Sequence, residues 1–185
     1  MTSSSLQGRL LVANPRLPDP NFDRTVVLVV AHGEEGALGL VLNRPSDAPV
    51  SDSLPGWEDV ASAPAVVFVG GPVDTTTVIC LANNQQQPVA EGWVPVAGDV
   101  GTFDVSLGPD SAAAGVEGLR VFAGYAGWGS GQLEGEIGAG GWFVVDAEPG
   151  DAVSGDPGSL WRRVLRRQRS TLALVAAYPA DPAMN

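Results

Sequence analysis

Glycine and proline divide most of this 185-residue chain into short segments. The sequence contains 24 glycines and 15 prolines, and its longest strictly apolar run extends only from Val26 to Ala31. A run of this length suits a buried strand and falls far below the roughly 20 residues that a membrane-spanning helix requires. Because hydrophobic residues still make up 44% of the chain, a packed core is expected and a disordered protein is excluded.

The short apolar segments predict a fold rich in strands. Hairpin-length connections and a few short helices between them indicate the α+β class, with a mixed, largely antiparallel sheet core wrapped by a few helices. A barrel-like arrangement of this sheet is one option, and the chain is long enough for a single domain. Residues 45–55 are predicted to form a loop. The predicted strands are Arg9–Ala13, Thr25–Ala31, Ala37–Asn43, Ala65–Val69, Thr75–Ala82, Trp93–Ala97, Leu119–Tyr125 and Trp142–Val145.

The C-terminal region has the clearest helical pattern. At about 100° per residue, the apolar residues between Leu160 and Ala177 fall on one arc, which predicts a long amphipathic helix. Three interpretations of the opposite arc stay open: a solvated face that forms ion pairs with an acidic body, a docking surface for an anionic partner, or a nucleic-acid contact. This opposite arc contains half of the basic residues of the protein, namely Arg162, Arg163, Arg166, Arg167 and Arg169.

The charge balance excludes several classes of function. The net charge is −11 and all ten basic residues are arginine, so lysine Schiff-base chemistry and a P-loop lysine are excluded. A uniformly acidic surface repels DNA, which disfavours direct DNA binding. With one histidine and one cysteine, we predict no metal site, no cofactor and no internal disulfide. The N-terminal sequence has no signal-peptide pattern, so a cytoplasmic protein without membrane association is expected.

A glycine-rich segment at residues 124–131 is the first candidate for ligand binding. Its four glycines lie between a strand and a predicted helix, where backbone N–H groups can hold an anion. The glycine spacing does not match a dinucleotide-binding motif, and a tight turn that packs Tyr125 and Trp128 against the sheet is the alternative. Gly70 and Gly71 follow another buried strand and indicate close approach of the backbone to a ligand or to a neighbouring segment.

Polar residues near strand ends complete the predicted ligand-binding set. Asn43 and Arg44 end an apolar strand, where they could bind a carboxylate or phosphate or could hold a loop in place. Arg24 has the same two interpretations, because it could pair with nearby Asp19 or Asp23 instead. The predicted ligand-binding residues are Arg24, Asn43, Arg44, Gly70, Gly71, Tyr125, Trp128, Gln132 and Glu134.

Candidates for acid–base chemistry are few, and no catalytic residue is predicted. His32 ends a strand, where a hydrogen-bonded structural role and a general base are both conceivable. Glu134 and Glu136 lie two positions apart, so on a helix they diverge by about 200° and cannot share one site. Their charge is favourable near a helix N-terminus, which offers a structural reason for both. Cys80 lies in an apolar strand and is predicted to be buried and inert.

Four sequence segments stand out as an ordered set. They are GRLLVA at 8–13 followed by DPNFDRTVV at 19–27, His32 with GALGLVLNRP at 36–45, FVGGPV at 68–73, and RVFAGYAGWGSGQLE at 120–134. This set closely resembles the AlgH/YqgE family of small bacterial proteins, from Gly8 to the C-terminal helix. The chain departs from the family pattern at Ser130, where proline is usual, and at Leu81–Ala82, which replaces a common Leu-His pair.

The resemblance implies a complex α+β fold, with a mixed sheet wrapped by helices, but no known reaction. We predict a disordered N-terminal tail at residues 1–7 and a single AlgH/YqgE-like domain at residues 8–185. The leading hypothesis is a non-enzymatic binding or regulatory module that acts through a ligand pocket or a protein interface. The alternatives are an enzyme acting on a phosphate- or carboxylate-bearing small molecule, and a transcriptional regulator, as the family's label suggests. The identity of the protein or small-molecule partner and the oligomeric state stay open.

Overall fold

The computed structural model describes residues 4–180, which contain one ten-stranded sheet and five short helices. The strands are β1 (Arg9–Ala13), β2 (Val26–Gly33), β3 (Gly36–Val41), β4 (Pro45–Pro49), β5 (Val66–Val69), β6 (Val73–Asn83), β7 (Trp93–Ala97), β8 (Val100–Phe103), β9 (Gly118–Gly129) and β10 (Trp142–Asp146). The helices are α1 (Val50–Ser53), α2 (Pro109–Gly115), α3 (Gln132–Gly138), α4 (Leu160–Arg166) and α5 (Leu172–Val175).

The sheet curls into a half-barrel with the strand order β10-β1-β2-β3-β9-β6-β8-β7. Neighbours along this path are antiparallel, whereas β5 runs parallel to β9 and also pairs with β4. Strand β9 is the longest, and its two halves pair with different neighbours, since residues 118–123 face β6 and residues 126–129 face β3. The predicted α+β class and largely antiparallel sheet are therefore confirmed.

Strand β4 corrects the prediction of a loop at residues 45–55. Its two prolines cannot donate to a ladder, which confines the segment to a short strand that pairs with β5 alone. The hydroxyl of Ser46 donates to the carbonyl oxygen of Val67 at 2.6 Å and helps to hold the pair together. The residues after β4 turn at once into the single-turn helix α1.

The prediction of one long C-terminal helix is wrong. Helix α4 ends at Arg166, and the separate turn of α5 follows after a break. At the break, the side-chain amide of Gln168 donates to the carbonyl oxygen of Val164. In a continuing α-helix, this oxygen would accept from the backbone N–H of Gln168 instead. Arg167 is held by two hydrogen bonds to Asp151 outside the helix. These contacts end α4 although its apolar pattern continues.

Three apolar clusters fill the fold. The largest joins β1, β2 and β3 to the buried face of α4, including Trp161, whose indole N–H donates to the carbonyl oxygen of Ala13 at 3.0 Å. The second lies between β6, β8 and the segment around Trp57. The third packs Trp128 and Trp142 against Leu133 of α3, and it borders the site described below.

The predicted N-terminal tail is described only in part. Residues 1–3 of the predicted N-terminal tail lie outside the described residues, and Leu6 packs against the third apolar cluster. Between residues 4 and 180, no helix is both long enough and apolar enough to cross a membrane.

Candidate functional site

Three aromatic side chains from distant parts of the chain meet beside α3. Phe22 stacks on Trp128 with a ring-centroid distance of 6.2 Å and meets Trp142 edge-on at 5.3 Å. Trp128 and Trp142 also contact each other edge-on at 6.1 Å. All three separations fall in the range where aromatic pairs attract beyond simple burial. This cluster attaches the segment around Phe22 to the ends of β9 and β10.

The carboxylate of Glu136 accepts hydrogen bonds from this aromatic cluster. Its Oε2 atom accepts from the indole N–H of Trp128 at 3.0 Å and from that of Trp142 at 2.9 Å. Its Oε1 atom accepts from the side-chain amide of Gln132 at 3.1 Å. Gln132 in turn accepts from the backbone N–H of Gly129 at 3.0 Å. Glu136 therefore satisfies two indole donors in a largely apolar setting and has a fixed orientation.

A groove of about 530 Å³ runs along this cluster, between the proline-rich segment 14–20 and α3. Its volume is typical of small-molecule sites, which range from about 300 to 1,000 Å³. Apolar surface comes from Leu17, Pro18, Phe22 and Ala139, while Arg16, Asp19 and Glu136 add charge. Asn14, Gly140 and Gly141 complete the lining.

Glu134 and His32 form a separate pair, as the predicted divergence of Glu134 and Glu136 requires. The backbone N–H of Leu6 donates to Nδ1 of His32 at 3.0 Å, which places the ring proton on Nε2. Nε2 then donates to Oε1 of Glu134 at 2.8 Å. Hydrogen bonding to the backbone N–H of Glu134 and to His32 lowers the pKa of this carboxyl. With its side chain only 5% exposed, His32 has both ring nitrogens engaged and serves as a structural link.

Arg24 and Asn43 come together in a second cleft of about 450 Å³. Asn43 accepts from the backbone N–H of Val26 and donates to the carbonyl oxygen of Arg24, both at 2.9 Å. These two bonds hold the backbone of Arg24 at φ 51°, a conformation that residues other than glycine rarely adopt. The guanidinium of Arg24 lies 4.9 Å above the ring of Trp161. Arg162 lines the same cleft, so residues from both predicted sets meet here.

Arg44, Gly70, Gly71 and Tyr125 lie apart from both clefts. Arg44 donates to the carbonyl oxygen of Asp23 at 2.8 Å and, with Gly71, borders a smaller hollow of about 190 Å³. A Cβ atom on Gly71 would lie 2.2 Å from the carbonyl carbon of Tyr125, so this glycine permits close approach of β9. Tyr125 itself packs against the largest apolar cluster. The nine predicted ligand-binding residues are therefore distributed over several places.

The five arginines of the predicted helical face, of which α4 contains only Arg162, Arg163 and Arg166, are only partly paired with carboxylates. Arg167 binds Asp151 with distances of 2.8 and 2.7 Å and lies 3.3 Å from Glu148. Hydrogen bonding to Asp151 raises the pKa of Arg167. Arg163 donates to the hydroxyl of Ser154 at 2.9 Å. Among residues 4–180, Arg162, Arg166 and Arg169 have no carboxylate within 4.0 Å.

A buried arginine was not predicted from the sequence. Arg120 in β9 is 1% exposed, and its guanidinium donates to the carbonyl oxygens of Ala63 at 2.8 Å and Ser154 at 3.2 Å. The ring of Phe68 lies 4.1 Å below it. Burial lowers the pKa of Arg120 to about 10, which leaves it charged at neutral pH. Arg120 thus ties two loops to the sheet.

The remaining reactive side chains offer neither a nucleophile nor a metal site among residues 4–180. Cys80 is buried as predicted, and burial raises the pKa of its thiol to about 12. Within the described part of the chain, no group of three or more His, Cys, Asp or Glu side chains could hold a metal ion. Phe22, Trp142 and Glu136 were absent from the predicted set. The sequence holds a signal for Trp142 and Glu136 but none for Phe22: indole N–H groups need acceptors, and Glu136 follows Gln132 by one helical turn.

Comparison with known proteins identifies the relatives of this chain. A family model described as AlgH-like (DUF179) matches residues 10–173. A UPF0301 protein of Streptomyces avermitilis is 53% identical, covering 98% of this chain and 96% of the relative. One of Mycobacterium avium is 45% identical, covering 96% and 90%.

Two solved structures have the same fold. The crystal structure of protein DIP2367 from Corynebacterium diphtheriae superposes with a TM-score of 0.89 at 30% identity, covering 96% of this chain and 95% of that one. The solution structure of the AlgH protein from Pseudomonas aeruginosa superposes with a TM-score of 0.71 at 29% identity, covering 98% of both chains. Because the family model spans most of the chain and full-length relatives share about half of its residues, the chain belongs to the AlgH-like family.

Proposed function

We propose that this protein is a non-enzymatic binding module whose ligand lies in the groove between segment 14–20 and α3. The observation that carries the proposal is the groove itself, which combines about 530 Å³ of space with a fixed carboxylate. An apolar surface with a few oriented polar groups is the usual composition of a small-molecule site.

The lining of the groove favours one class of ligand. Phe22 and Leu17 offer apolar surface for a ring, and the carboxylates of Glu136 and Asp19 outnumber the single guanidinium of Arg16. Glu136 already accepts three hydrogen bonds, and a carboxylate has about four acceptor sites. A small ring-bearing amine fits this surface better than a ring-bearing acid.

The positions of the acid–base residues support binding rather than catalysis. The enzyme hypothesis requires His32, Glu134, Arg24 and Arg44 to converge in one pocket. Arg24 and Arg44 line different hollows. His32, with both nitrogens hydrogen-bonded, offers no free lone pair to a substrate proton.

A thermal-shift titration with matched amines and acids tests the proposal. Phenylethylamine and indolylethylamine should stabilise the protein, whereas phenylacetate and indolylacetate should not. A ligand at about 100 times its Kd contributes about 2.7 kcal/mol, which corresponds to a Tm increase of roughly 5 to 11 °C for a chain of this size. The intrinsic tryptophan fluorescence should change in the same titration, because two of the five tryptophans, Trp128 and Trp142, donate to the carboxylate at the groove.

A pair of variants locates the binding site. Ala139 is exposed and lines the groove, so Ala139→Phe should fill part of the space and abolish the shift. Ala113 is likewise an exposed alanine, lies on α2 and does not line the groove, so Ala113→Phe should bind like the wild type. Loss of binding in both variants, or in neither, would contradict the proposed site, and the absence of any shift across the panel would reject it.

A further inference from the structure

The second cleft, which Arg24, Asn43 and Arg162 line, differs in the sign of its charge from the protein as a whole. Among residues 4–180, its charged side chains are two guanidinium groups, of Arg24 and Arg162, and one carboxylate, of Asp156, which gives a net charge of +1. The protein as a whole has a net charge of −11. The carboxylate of Asp156 is already engaged, since its Oδ2 atom accepts from the hydroxyl of Ser159 at 2.6 Å. The cleft is therefore positively charged although the protein as a whole is strongly acidic.

Arg24 is held in position before any ligand arrives. The bonds to Asn43 fix its backbone, and the ring of Trp161 supports its guanidinium from one side. Its Nη2 atom donates to the carbonyl oxygens of Tyr178 and Pro179. The Nε and Nη1 donors have no acceptor among residues 4–180, and a guanidinium offers five N–H bonds in all. Part of its donor capacity is thus available in a fixed orientation.

Arg162, on the exposed face of α4, differs from Arg167, which follows the end of the helix and is half-buried. Arg167 is compensated by Asp151 and Glu148, whereas Arg162 forms no ion pair or side-chain hydrogen bond within the described part of the chain. Arg162 is also exposed and comes from a different element than Arg24. Two guanidiniums from separate elements at one cleft are an arrangement that suits a multiply charged oxyanion.

We propose that this cleft binds a small molecule that bears a phosphate or diphosphate group. The oxyanion would accept hydrogen bonds from the free donors of Arg24 on one side and from Arg162 on the other. The volume of about 450 Å³ leaves room for a further group of the size of a sugar. This site shares no lining residue with the groove beside α3, so its test is independent of the test of the function proposed above.

Isothermal titration calorimetry with inorganic pyrophosphate tests the proposal on the full-length protein. Sodium chloride of matched ionic strength and acetate serve as controls for general charge effects. The wild type should bind pyrophosphate in a one-to-one complex, and Arg162→Gln should raise the Kd at least tenfold. Because Arg162 is exposed and forms no ion pair or side-chain hydrogen bond among residues 4–180, this variant should keep the wild-type Tm.

Arg169→Gln is the matched control, since Arg169 is exposed and lacks a carboxylate partner among residues 4–180 but does not line the cleft. It should bind pyrophosphate like the wild type. Arg24→Gln should also weaken binding at least tenfold, although it can loosen the segment around Tyr178, so the decision rests on Arg162.

Three results would overturn the proposal. One is no heat of binding above that of sodium chloride. Another is an equal loss of affinity in Arg162→Gln and Arg169→Gln, which would indicate diffuse attraction to the arginine face. The third is tight binding of a duplex oligonucleotide, dependent on Arg166 and Arg169, without binding of pyrophosphate, which would identify a nucleic-acid surface instead.

Discussion

Replacing Glu136 with alanine should destabilise the protein by about 3 kcal/mol. The substitution leaves the indole N–H groups of Trp128 and Trp142 without their acceptor, and both rings are buried. A buried donor without a partner costs about 1 to 3 kcal/mol. Two such donors give roughly 2 to 6 kcal/mol, and we expect the lower half of this range because Glu136 is half-buried beside an open groove that admits water.

Urea unfolding followed by tryptophan fluorescence, together with a thermal melt, measures this loss. About 3 kcal/mol corresponds to a Tm decrease of roughly 6 to 12 °C for a chain of this size. Glu136→Gln keeps an oxygen for the two indole N–H groups but turns its own NH2 group toward the donating amide of Gln132, so it should lose about 1 to 2 kcal/mol, less than the alanine variant. Glu134→Ala, on the other side of the same helix, removes the acceptor of one donor, Nε2 of His32, at a carboxylate that is 40% exposed to water, and should cost only about 1 kcal/mol. Equal stabilities of Glu136→Ala and Glu134→Ala would refute the reasoning.

Two further predictions concern a glycine contact and the pH dependence of stability. Gly71→Ala should cost more than about 3 kcal/mol, because its Cβ would lie 2.2 Å from the backbone of β9. Gly135→Ala, in α3 with open space around it, should instead stabilise the protein by about 0.5 to 1 kcal/mol in the same urea assay; similar effects of both substitutions would contradict the assigned contact. The pKa of Glu134 is lowered in the folded state, so its contribution is present above its ordinary value of 4.5 and is lost as the pH falls below it. Thermal melts at decreasing pH should show a smaller acid-dependent loss in Glu134→Gln than in the wild type, and identical profiles would argue against the hydrogen bonds that this carboxylate accepts from its own backbone N–H and from His32.

For the predicted ligand-binding residues, the sequence indicated possible roles but not where the residues lie relative to one another. Asn43 and Gly71 were each given a structural and a ligand-binding interpretation, and the observed contacts supply the structural role: one holds the backbone of Arg24 and the other admits β9. Their distribution over separate hollows depends on strand order, which no pattern within a single segment encodes. For Glu136 the sequence indicated only a favourable charge near a helix N-terminus, because it does not show that Trp128 and Trp142 converge on this carboxylate.

Local sequence patterns determined most of the strands, the short helix α3, the buried state of Cys80 and, through four ordered motifs, the family. Strand β1 has the predicted bounds of Arg9–Ala13, because the signals that define it, an apolar run and the prolines that follow, lie within or directly beside the strand. Only the tertiary structure decided that β4 pairs with β5 and that α4 stops at Arg166. In both cases a partner distant in sequence, Val67 for Ser46 and Asp151 for Arg167, supplies the contact that overrides the local preference.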